Sequence, residues 1–325
     1  MEPTATNQPS PSPAERVHVT RSRAKPGGRT MEGGLPFRER KPPWLKVPAP
    51  GGPTYRKLKQ AIEADNLHTV CEEAACPNVG ECWERGTATF MILGDVCTRA
   101  CAYCNVRHGA PGPLDADEPR KVASAVAAMQ LQYVVITSVD RDDLPDGGSE
   151  TFVSVIREIR DASPSTRVEV LIPDFQGRED QLRTVLDAKP DVLNHNIETV
   201  PRLYRIARPG GKYARALELL DRARTIAPAI PTKSGLMVGL GEDYAEVLET
   251  IADLRKVDCR ILTIGQYLRP SDAHLPMARY YTPAEFAELK AHALGLGFGH
   301  VESGPLVRSS YHAHEQTEAY ELNTR

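Results

Sequence analysis

Six short apolar runs alternate with helical patterns from about residue 88 onward, and this alternation limits the fold more than any other feature of the chain. The runs are nearly continuous in apolar residues, which is typical of parallel strands that are buried on both faces. They read ATFMIL, YVVITS, VEVLIP, VLNHNIE, KSGLMVGL and ILTIGQY. Segments with helical periodicity, such as TFVSVIREIR and YAEVLETIADLRK, separate them. A repeated strand–helix order predicts an α/β fold with a parallel sheet, either open or closed as a barrel.

Polar residues directly follow each predicted strand, and this favours a barrel over an open sheet. DRDDLPDGG follows the second strand, NHNIE ends the fourth, and GLGED ends the fifth. Chemistry at the carboxyl ends of all strands is the TIM-barrel pattern, whereas an open doubly wound sheet concentrates it at one switch point. Six repeats instead of eight predict a partial (β/α)6 barrel of TIM type.

The composition excludes several classes of protein. The chain has 325 residues, of which 41% are hydrophobic, so it can bury a sizeable core. A net charge of -3 gives no basic footprint for nucleic acid. The chain contains no apolar run of about 18 residues, as a membrane span would need, and its N-terminus lacks the apolar stretch of a secretory signal. We therefore expect a cytoplasmic protein with no nucleic-acid or membrane partner.

The chain divides into segments of different character. Residues 1–53 contain 11 of the 27 prolines, and a segment of this composition cannot bury enough apolar surface to fold, so we expect a disordered tail. Residues 54–88 begin with a helical pattern, YRKLKQAIEADNL, and form an N-terminal extension with three cysteines. The barrel is expected over residues 89–305, and residues 306–325 form a C-terminal segment that closes over the site.

Six of the seven cysteines lie close together in the sequence. An odd number of cysteines, without an export signal, argues against a disulfide framework and favours metal or redox chemistry. The stretch CTRACAYC places Cys97, Cys101 and Cys104 in a C-x3-C-x2-C spacing. Three thiolates on one tight loop can bind three irons of a 4Fe-4S cluster and leave the fourth iron open.

An upstream group, Cys71, Cys76 and Cys82, also has three cysteines. A structural zinc site needs four ligands, so two zinc ions would need two further ligands, for which His68 and His108 are the candidates. Neither spacing matches a zinc ribbon or finger, and a second iron–sulfur cluster is therefore the favoured interpretation. A zinc-binding interaction module remains the alternative that is not an enzyme.

The spacing C-x3-C-x-aromatic-C, with Tyr103 in the aromatic position, resembles the signature of the radical S-adenosylmethionine (SAM) superfamily. This resemblance implies that SAM binds the open iron and is cleaved to a radical that abstracts hydrogen from unactivated carbon. A stretch like G-x-I-x-G-x-x-E of that superfamily matches Gly235, Met237, Gly239 and Glu242, with Met in place of Ile.

The resemblance also implies a set of SAM contacts after the strands. Polar groups of DRDD, including Asp140, are expected at the methionyl end of SAM, and Asn196 and Glu198 at its ribose or sulfonium. Arg208 is expected either to meet an anionic group or to cap a helix. The full set of expected cofactor-binding residues is Tyr103, Asp140, Asn196, Glu198, Arg208, Gly239 and Glu242. His195 is expected to pack within its strand, and Cys259 to be an ordinary buried thiol.

The two cysteine spacings together resemble the lipoyl synthase family. Matching stretches, which run over about residues 67–313, are SVDRDDLPDGG, PDFQGR, NHNIETV, KSGLMVGLGE, GQYLRPS, LPMARYYTP and GPLVRSSYHA. The resemblance implies a second, auxiliary 4Fe-4S cluster on Cys71, Cys76 and Cys82. Its fourth ligand is then a serine of the R-S-S-Y motif, which we assign to Ser310, with Ser309 as the less favoured choice.

The activity implied by this resemblance is insertion of two sulfur atoms, at C6 and C8 of an octanoyl group on a lysine of a lipoyl carrier protein. The auxiliary cluster is then the sulfur donor. The implied partners are the lipoyl domains of 2-oxoacid dehydrogenase E2 subunits and the glycine cleavage H protein, an electron donor such as flavodoxin or ferredoxin, and an iron–sulfur carrier that rebuilds the cluster. A methylthiotransferase-like radical SAM enzyme is the alternative.

Overall fold

The structure, a computed structural model, describes residues 34–47, 49–64, 67–74 and 76–324. Its strands are β1 (His68–Thr69), β2 (Thr87–Ile92), β3 (Val96–Cys97), β4 (Arg107–His108), β5 (Tyr133–Ser138), β6 (Arg167–Leu171), β7 (Val192–Asn194), β8 (Thr232–Val238), β9 (Ile261–Gln266) and β10 (His300–Gly304). Each of the six predicted apolar runs overlaps one of these strands. The six strands are β2, β5, β6, β7, β8 and β9.

The main sheet of the described part is open. Its strand order is β1-β2-β5-β6-β7-β8-β9-β10, and β3 and β4 form a separate two-stranded sheet. From β2 to β10 every neighbouring pair is parallel, whereas β1 is antiparallel to β2 at one edge. The predicted partial barrel is confirmed, with one further parallel strand, β10, that the prediction did not include.

Helices cover the outer face of this sheet, except that the last one contacts residues inside the barrel. They are α1 (Pro53–Ala64), α2 (Val70–Glu73), α3 (Val79–Glu84), α4 (Glu118–Ala128), α5 (Ser149–Ala162), α6 (Glu179–Asp187), α7 (Pro201–Ala207), α8 (Tyr213–Ile226), α9 (Tyr244–Lys256), α10 (Pro283–Gly295) and α11 (Ala313–Thr324). The periodic segments of the sequence overlap seven of these helices, whereas α2, α3, α7 and α11 were not predicted. Across the described ranges, none of the helices combines the length and the apolar character that a membrane crossing requires.

Two apolar clusters join the helices to the outer face of the sheet. One lies mainly beneath α4, α5 and α6, and the other beneath α8, α9 and α10. Strand residues such as Val168 and Val170 are fully buried in the first cluster. Since side chains alternate along a strand, Glu169 between them points to the inside of the barrel.

The inside of the barrel contains a buried polar network. Glu169 accepts hydrogen bonds from Tyr133 Oη and Asn194 Nδ2, both at 2.8 Å, and from Lys233 Nζ at 3.0 Å. Thr317 Oγ1, on α11, lies 3.0 Å from Tyr133 Oη. The last helix of the chain is therefore bonded to side chains inside the barrel, and the buried charges of the network are paired as burial requires.

Part of the predicted tail lies against the barrel. The backbone N–H of Leu35 donates to the carbonyl oxygen of Met277 at 2.7 Å. Farther along, Pro50 packs so closely on Gly80 of α3 that a Cβ at Gly80 would come within 2.9 Å of it. The boundary at residue 53 stays a prediction, and the tail residues 1–33 lie outside the described residues.

Candidate active site

The loop from Cys97 to Cys104 follows β2 at the carboxyl ends of the parallel strands. Its neck is closed by the parallel pairing of β3 with β4. The N–H of Gly109 also donates to the carbonyl oxygen of Cys97 at 2.9 Å. The first cysteine therefore has a fixed place at the mouth of the barrel, where TIM-type enzymes hold their active sites.

Arg99 ties this loop to two neighbouring strands. Its side chain is only 4% exposed, and its Nε and Nη2 donate to the two oxygens of Asp142 at 2.7 and 2.8 Å. Nη2 also donates to Asp174 at 2.6 Å, and Nη1 lies 3.4 Å from Asp140. Arg215 on α8 donates to the other oxygen of Asp174 at 3.0 Å. The buried guanidinium is thus paired with carboxylates that follow β5 and β6, and such bidentate pairs are among the stronger contacts in proteins.

The three carboxylates respond differently to this guanidinium. Burial raises the pKa of Asp140, although Arg99 opposes the shift. Burial also acts on Asp142 and Asp174, but the hydrogen bonds from Arg99 outweigh it and lower the pKa of both. Within the described residues, Oδ1 of Asp140 is buried without a hydrogen-bond partner. Asp140 is therefore the carboxylate of the three with an oxygen left for a ligand.

The far side of the loop is held by two more segments. The N–H of Ala102 donates to the carbonyl oxygen of Ala207, at the end of α7, at 2.8 Å. The N–H of Leu275 donates to the carbonyl oxygen of Ala102 at 3.0 Å. His274 Nε2 lies 3.0 Å from the carbonyl oxygen of Cys104. The loop is therefore fixed on every side by backbone or buried side-chain contacts.

The thiols of this loop are free and half-buried. Burial raises the pKa of Cys97 to about 12 and that of Cys104 to about 11. The pKa of Cys101 is also raised by burial and by its neighbour Cys104. Since a metal binds the thiolate, loading this loop must displace protons from these thiols.

Four of the predicted SAM contacts form one polar cluster beside the loop. Burial raises the pKa of Glu198, whereas Arg208 and hydrogen bonds from Asn196 and Tyr103 oppose the shift. Arg208 Nη1 donates to the carbonyl oxygen of Asn196 at 3.1 Å and to Tyr204 Oη at 3.3 Å. Arg208 also occupies the C-cap of α7, so it both ends a helix and faces an anionic group.

The backbone of Glu198 is strained at this point. Its φ is 67°, in the left-handed region that residues other than glycine rarely adopt. Such strain is characteristic of functional sites, where the surrounding structure holds it in place. Oδ1 of Asn196 is also buried without a partner in the described part of the chain, which leaves a second acceptor for a ligand.

The predicted contacts Gly239 and Glu242 serve the turn after β8. The two oxygens of Glu242 accept hydrogen bonds from the N–H groups of Gly239 and Leu240, at 2.6 and 2.8 Å. Gly239 has a φ of 98°, and a Cβ there would lie 2.1 Å from Gln266 Nε2, so the position requires glycine. Because backbone groups already occupy both oxygens of Glu242, direct contact with SAM stays a prediction.

The two residues expected to have no role in the chemistry are buried. Nδ1 of His195 lies 2.8 Å from the carbonyl oxygen of Ile172, and burial lowers the pKa of His195 to about 4. Cys259 is fully buried, and its Sγ contacts backbone oxygens of its own strand region. Both observations agree with the expected packing roles.

The second cysteine group lies at the edge of the sheet formed by β1 and β2. Cys71 is on α2, Cys82 is on α3, and Cys76 lies between the two helices. Burial raises the pKa of Cys71 and of Cys82 to about 12. It also raises the pKa of Cys76. Repulsion among the three thiolates adds to the shifts, so these sulfur atoms are electrostatic neighbours.

The C-terminal segment reaches this second group from the far end of the chain. Asn78 Nδ2 donates to the carbonyl oxygen of Leu306 at 2.6 Å. Tyr311 Oη donates to Glu81 Oε2 at 3.2 Å, and His312 Nε2 lies 3.0 Å from Glu81 Oε1. The R-S-S-Y motif is therefore attached to the helix that carries Cys82.

The motif presents two serine hydroxyls and one cation. Ser309 and Ser310 are half-buried, and their hydroxyls have no hydrogen-bond partner among the described residues. Arg308 donates to the carbonyl oxygen of Val307 at 2.7 Å and pairs with no carboxylate in the part of the chain that the structure describes. Its charge acts on Cys76, whose pKa it lowers against the larger effect of burial.

The donors of both groups fit 4Fe-4S clusters. Each group offers three free thiols that are buried or half-buried. Each also has a guanidinium whose charge acts on one thiol, Arg208 on Cys101 and Arg308 on Cys76. Within the described ranges, no three His, Cys, Asp or Glu side chains converge on a point where they would hold one metal ion. A 4Fe-4S cluster does not need such convergence, because each thiolate binds a different iron.

The sequence reasoning missed the residues that hold the loop in place. Arg99 and Asp174 are the clearest cases, and His274 is a third. One signal was available, since Arg99 is the single charged residue within CTRACAYC. A charged residue between metal-binding cysteines needs a buried partner if the loop packs against the barrel.

Comparison with known proteins identifies the family. The family model described as the radical SAM superfamily matches residues 91–254, and the model of the N-terminal domain of lipoyl synthase matches residues 25–76. The lipoyl synthase of Rubrobacter xylanophilus is 59% identical over 298 residues, which cover 90% of this chain and 92% of that protein. The lipoyl synthase of Koribacter versatilis is 59% identical and covers 85% of this chain and 91% of its own length.

Solved structures with low sequence identity share the fold. Methylornithine synthase superposes with a TM-score of 0.52 at 12% identity and covers 83% of this chain and 92% of its own. The FeFe-hydrogenase maturase HydG from Carboxydothermus hydrogenoformans gives a TM-score of 0.55 at 16% identity, with 82% and 69% covered. The sequence matches go further than this common fold: the chain belongs to the lipoyl synthase family of the radical SAM superfamily.

Proposed function

We propose that Cys97, Cys101 and Cys104 hold the SAM-binding 4Fe-4S cluster, and that Cys71, Cys76, Cys82 and Ser310 hold an auxiliary one. The family establishes that the chain is a sulfur-inserting radical SAM enzyme with a 4Fe-4S cluster and SAM, and that lipoyl domains are its substrates. The assignment of individual residues, and the second cluster, are the proposal. When bound, SAM and the clusters supply the hydrogen-abstracting radical and the two sulfur atoms for C6 and C8 of the octanoyl chain.

The residues around the first group position and shield the chemistry. Arg99 keeps the cysteine loop in one place through its buried carboxylate pairs. Tyr103, Asn196, Glu198 and Arg208 supply polar groups to the charged and hydroxylated parts of SAM. These polar residues and the cysteine loop are buried or half-buried, so bulk water is kept away from the site. Exclusion of water limits the side reactions of a reactive carbon centre.

Asp140 and the turn after β8 complete the proposed cofactor site. Oδ1 of Asp140 makes no hydrogen bond within the described residues, although it lies 3.4 Å from Arg99 Nη1, and it is suited to accept a hydrogen bond from the ammonium group of an amino acid. Gly239 and Glu242 shape the end of β8, where glycine lets a ligand approach the backbone closely.

One observation carries the proposal for the second group: the segment that contains Ser310 is hydrogen-bonded to both ends of the Asn78–Glu81 region beside Cys76 and Cys82. The hydroxyl of Ser310 is free to ligate, and Arg308 offsets the negative charge that thiolates and an alkoxide bring. A serine oxygen is a harder donor than a thiolate and binds iron–sulfur sites less well. A cluster that must release its sulfur opens more easily if one of its four ligands binds weakly.

The proposed substrates are octanoylated lipoyl domains of 2-oxoacid dehydrogenase E2 subunits and the glycine cleavage H protein. A flavodoxin or ferredoxin is the proposed electron donor, and an iron–sulfur carrier the proposed source of a rebuilt cluster. The cytoplasm is the proposed location, as the sequence predicts. The chain is proposed to divide into a tail at 1–53, an extension at 54–88, a barrel at 89–305 and a closing segment at 306–325.

The test is sulfur insertion by protein reconstituted without oxygen. With SAM, a reductant and an octanoylated carrier domain, the carrier should gain the mass of two sulfur atoms. Iron analysis should give about eight irons per chain, from two four-iron clusters, and about four after Cys76→Ala. Two zinc ions per chain and no iron, or an unmodified carrier, would contradict the proposal.

A further inference from the structure

The described part of the N-terminal tail runs between the two cysteine groups. We call residues 34–47 the strap. At one end, Leu35 is hydrogen-bonded to Met277, in the same loop as Leu275 and His274, which contact the Cys97–Cys104 loop. Beyond the other end, Pro50 packs on α3, the helix of Cys82. A substrate that enters between the two groups therefore passes the strap.

The strap carries a concentration of positive charge. Four cationic side chains and one carboxylate, Glu39, lie on it, and all five residues are exposed. The cations are Arg38, Arg40, Lys41 and Lys46. None of the four has an ion-pair partner within the described ranges, although the chain as a whole has a net charge of -3. Several other exposed cations of the described ranges, such as Arg183 with Glu179, are paired with a carboxylate on their own helix.

The same segment exposes large apolar side chains. Phe37 is 47% exposed, Val47 39% and Trp44 38%, and they are three of the few large hydrophobic residues on the described surface. Leu45 is buried at 6% and anchors a short 3-10 turn, so its neighbour Trp44 is turned outward. Aromatic and arginine side chains are enriched in protein-binding surfaces and among their dominant contacts.

We propose that the strap is the docking surface for the carrier domain, and that it binds an acidic face of that domain next to the octanoylated lysine. The inference rests on the proposed function, because it assumes that the substrate arrives on a folded protein. Charge complementarity selects an acidic partner, and it mainly speeds and orients the encounter. The apolar residues then supply contact area that a purely ionic surface lacks.

The experiment compares a folded carrier with a short peptide. The charge-reversal variant Arg40→Glu/Lys41→Glu removes two cations and adds two anions at the strap. The Kd for an octanoylated lipoyl domain, measured by fluorescence anisotropy, should rise about tenfold, and KM should follow it. With an octanoylated lysine peptide that has uncharged neighbours, kcat and KM should stay unchanged. In the wild-type protein the Kd for the domain should rise with added NaCl, because salt screens the charges of the strap. In the variant the Kd should depend less on NaCl.

The matched control is Arg157→Glu/Lys189→Glu, which makes the same change in charge far from the strap. Arg157 lies on α5, and Lys189 lies before β7 at the opposite end of the barrel; both are exposed and have no ion pair within the described ranges. It should leave both substrates unaffected. A second strap variant, Trp44→Ser, should weaken binding of the domain without altering the salt dependence. Its iron content and SAM cleavage check that the protein is folded.

Three results would overturn the proposal. One is an unchanged Kd for the domain in both strap variants, and another is an equal loss of activity with domain and peptide. The third is a wild-type dimer in gel filtration that only the strap variants lose, since the strap would then bind a second copy of the chain. Failure of the wild-type protein to modify any octanoyl substrate would instead contradict the proposed function, while the Kd measurement would still report on docking.

Discussion

The two cysteine groups have the same number of thiols, but the protein holds them in different ways. The Cys97–Cys104 loop is closed at its neck by β3 and β4 and bonded to three neighbouring segments of the barrel. The buried Arg99 anchors it with two carboxylates that follow different strands. The Cys71–Cys82 group lies on helices of four and six residues, at the edge of the sheet. Its outer contacts, such as Glu81 with Tyr311, involve exposed side chains.

This difference matches what the two proposed centres must do. A centre that binds and cleaves a cofactor repeatedly benefits from a fixed geometry, because misplacement by a fraction of an ångström slows the chemistry. A centre that donates its sulfur must be opened and rebuilt. Cys71 and Cys82 are themselves buried, but the C-terminal segment is held beside them partly by exposed side chains, which makes opening of that segment easier. Four changes to the protein test this difference, and the first should have the largest effect.

Cysteine substitutions should separate the two groups completely. Cys101→Ala should abolish SAM cleavage and sulfur insertion together, because the SAM-binding cluster loses a ligand. Cys76→Ala should abolish sulfur insertion while SAM cleavage continues. The measurements are 5′-deoxyadenosine by chromatography and carrier mass. Loss of both activities in the Cys76 variant would mean that the groups do not act separately.

Arg99→Met should destabilise the protein strongly. It leaves Asp142 and Asp174 without the guanidinium that holds their pKa down, and breaking a buried pair in this way costs about 3–5 kcal/mol. Urea unfolding of the metal-free protein, followed by circular dichroism, gives the free energy of unfolding. Arg183→Met, which breaks an exposed pair with Glu179, should cost less than about 1 kcal/mol. Equal costs for the two variants would show that the loop is not anchored through Arg99.

The two serines of the C-terminal motif should differ. Ser310→Ala should lower sulfur insertion about tenfold or more, because the auxiliary cluster loses its fourth ligand, whereas Ser309→Ala should have little effect. Iron content per chain, measured after gel filtration, should fall in the first variant only. The reverse order would transfer the assignment to Ser309, and no change in either would remove serine from the ligand set.

Glu81→Gln should have the smallest effect. It weakens the contacts with Tyr311 and His312, which are exposed enough that each contributes about 1 kcal/mol or less. Hydrogen exchange should become faster in the Leu306–His312 segment and stay unchanged in the Cys97–Cys104 loop. Faster exchange in both would contradict the idea that the two groups are held independently.

The sequence predicted what depends on local pattern. The apolar runs identified six strands because buried parallel strands are nearly continuous in apolar residues. These are β2, β5, β6, β7, β8 and β9; the short strands β3 and β4 were not predicted. The cysteine spacings pointed to iron–sulfur chemistry because three thiols on one tight loop can bind three irons of one cluster. The strand β10 was missed because HVESG contains a single large apolar residue, Val301.

The sequence did not predict contacts between distant segments. Arg99 meets Asp142 and Asp174 across 43 and 75 positions, and no local pattern relates these residues. The same holds for the strap, where a proline-rich composition predicts a tail and does not indicate that Leu35 pairs with Met277. Which side chains meet at the mouth of a barrel depends on loop geometry, and loop geometry depends on the packed fold.

The C-terminal segment also sets an order of events in the life of the chain. The hydrogen bonds from Asn78 to Leu306 and from Tyr311 to Glu81 join residues 228 and 230 positions apart. During synthesis, the residues around Cys76 leave the ribosome long before their partners exist, at about 5–20 residues per second. The Cys97–Cys104 loop finds Asp142 and Asp174 much sooner. The contacts between the C-terminal segment and the second cysteine group therefore form last. A prematurely terminated chain that lacks the R-S-S-Y motif cannot form the Tyr311 contact at all.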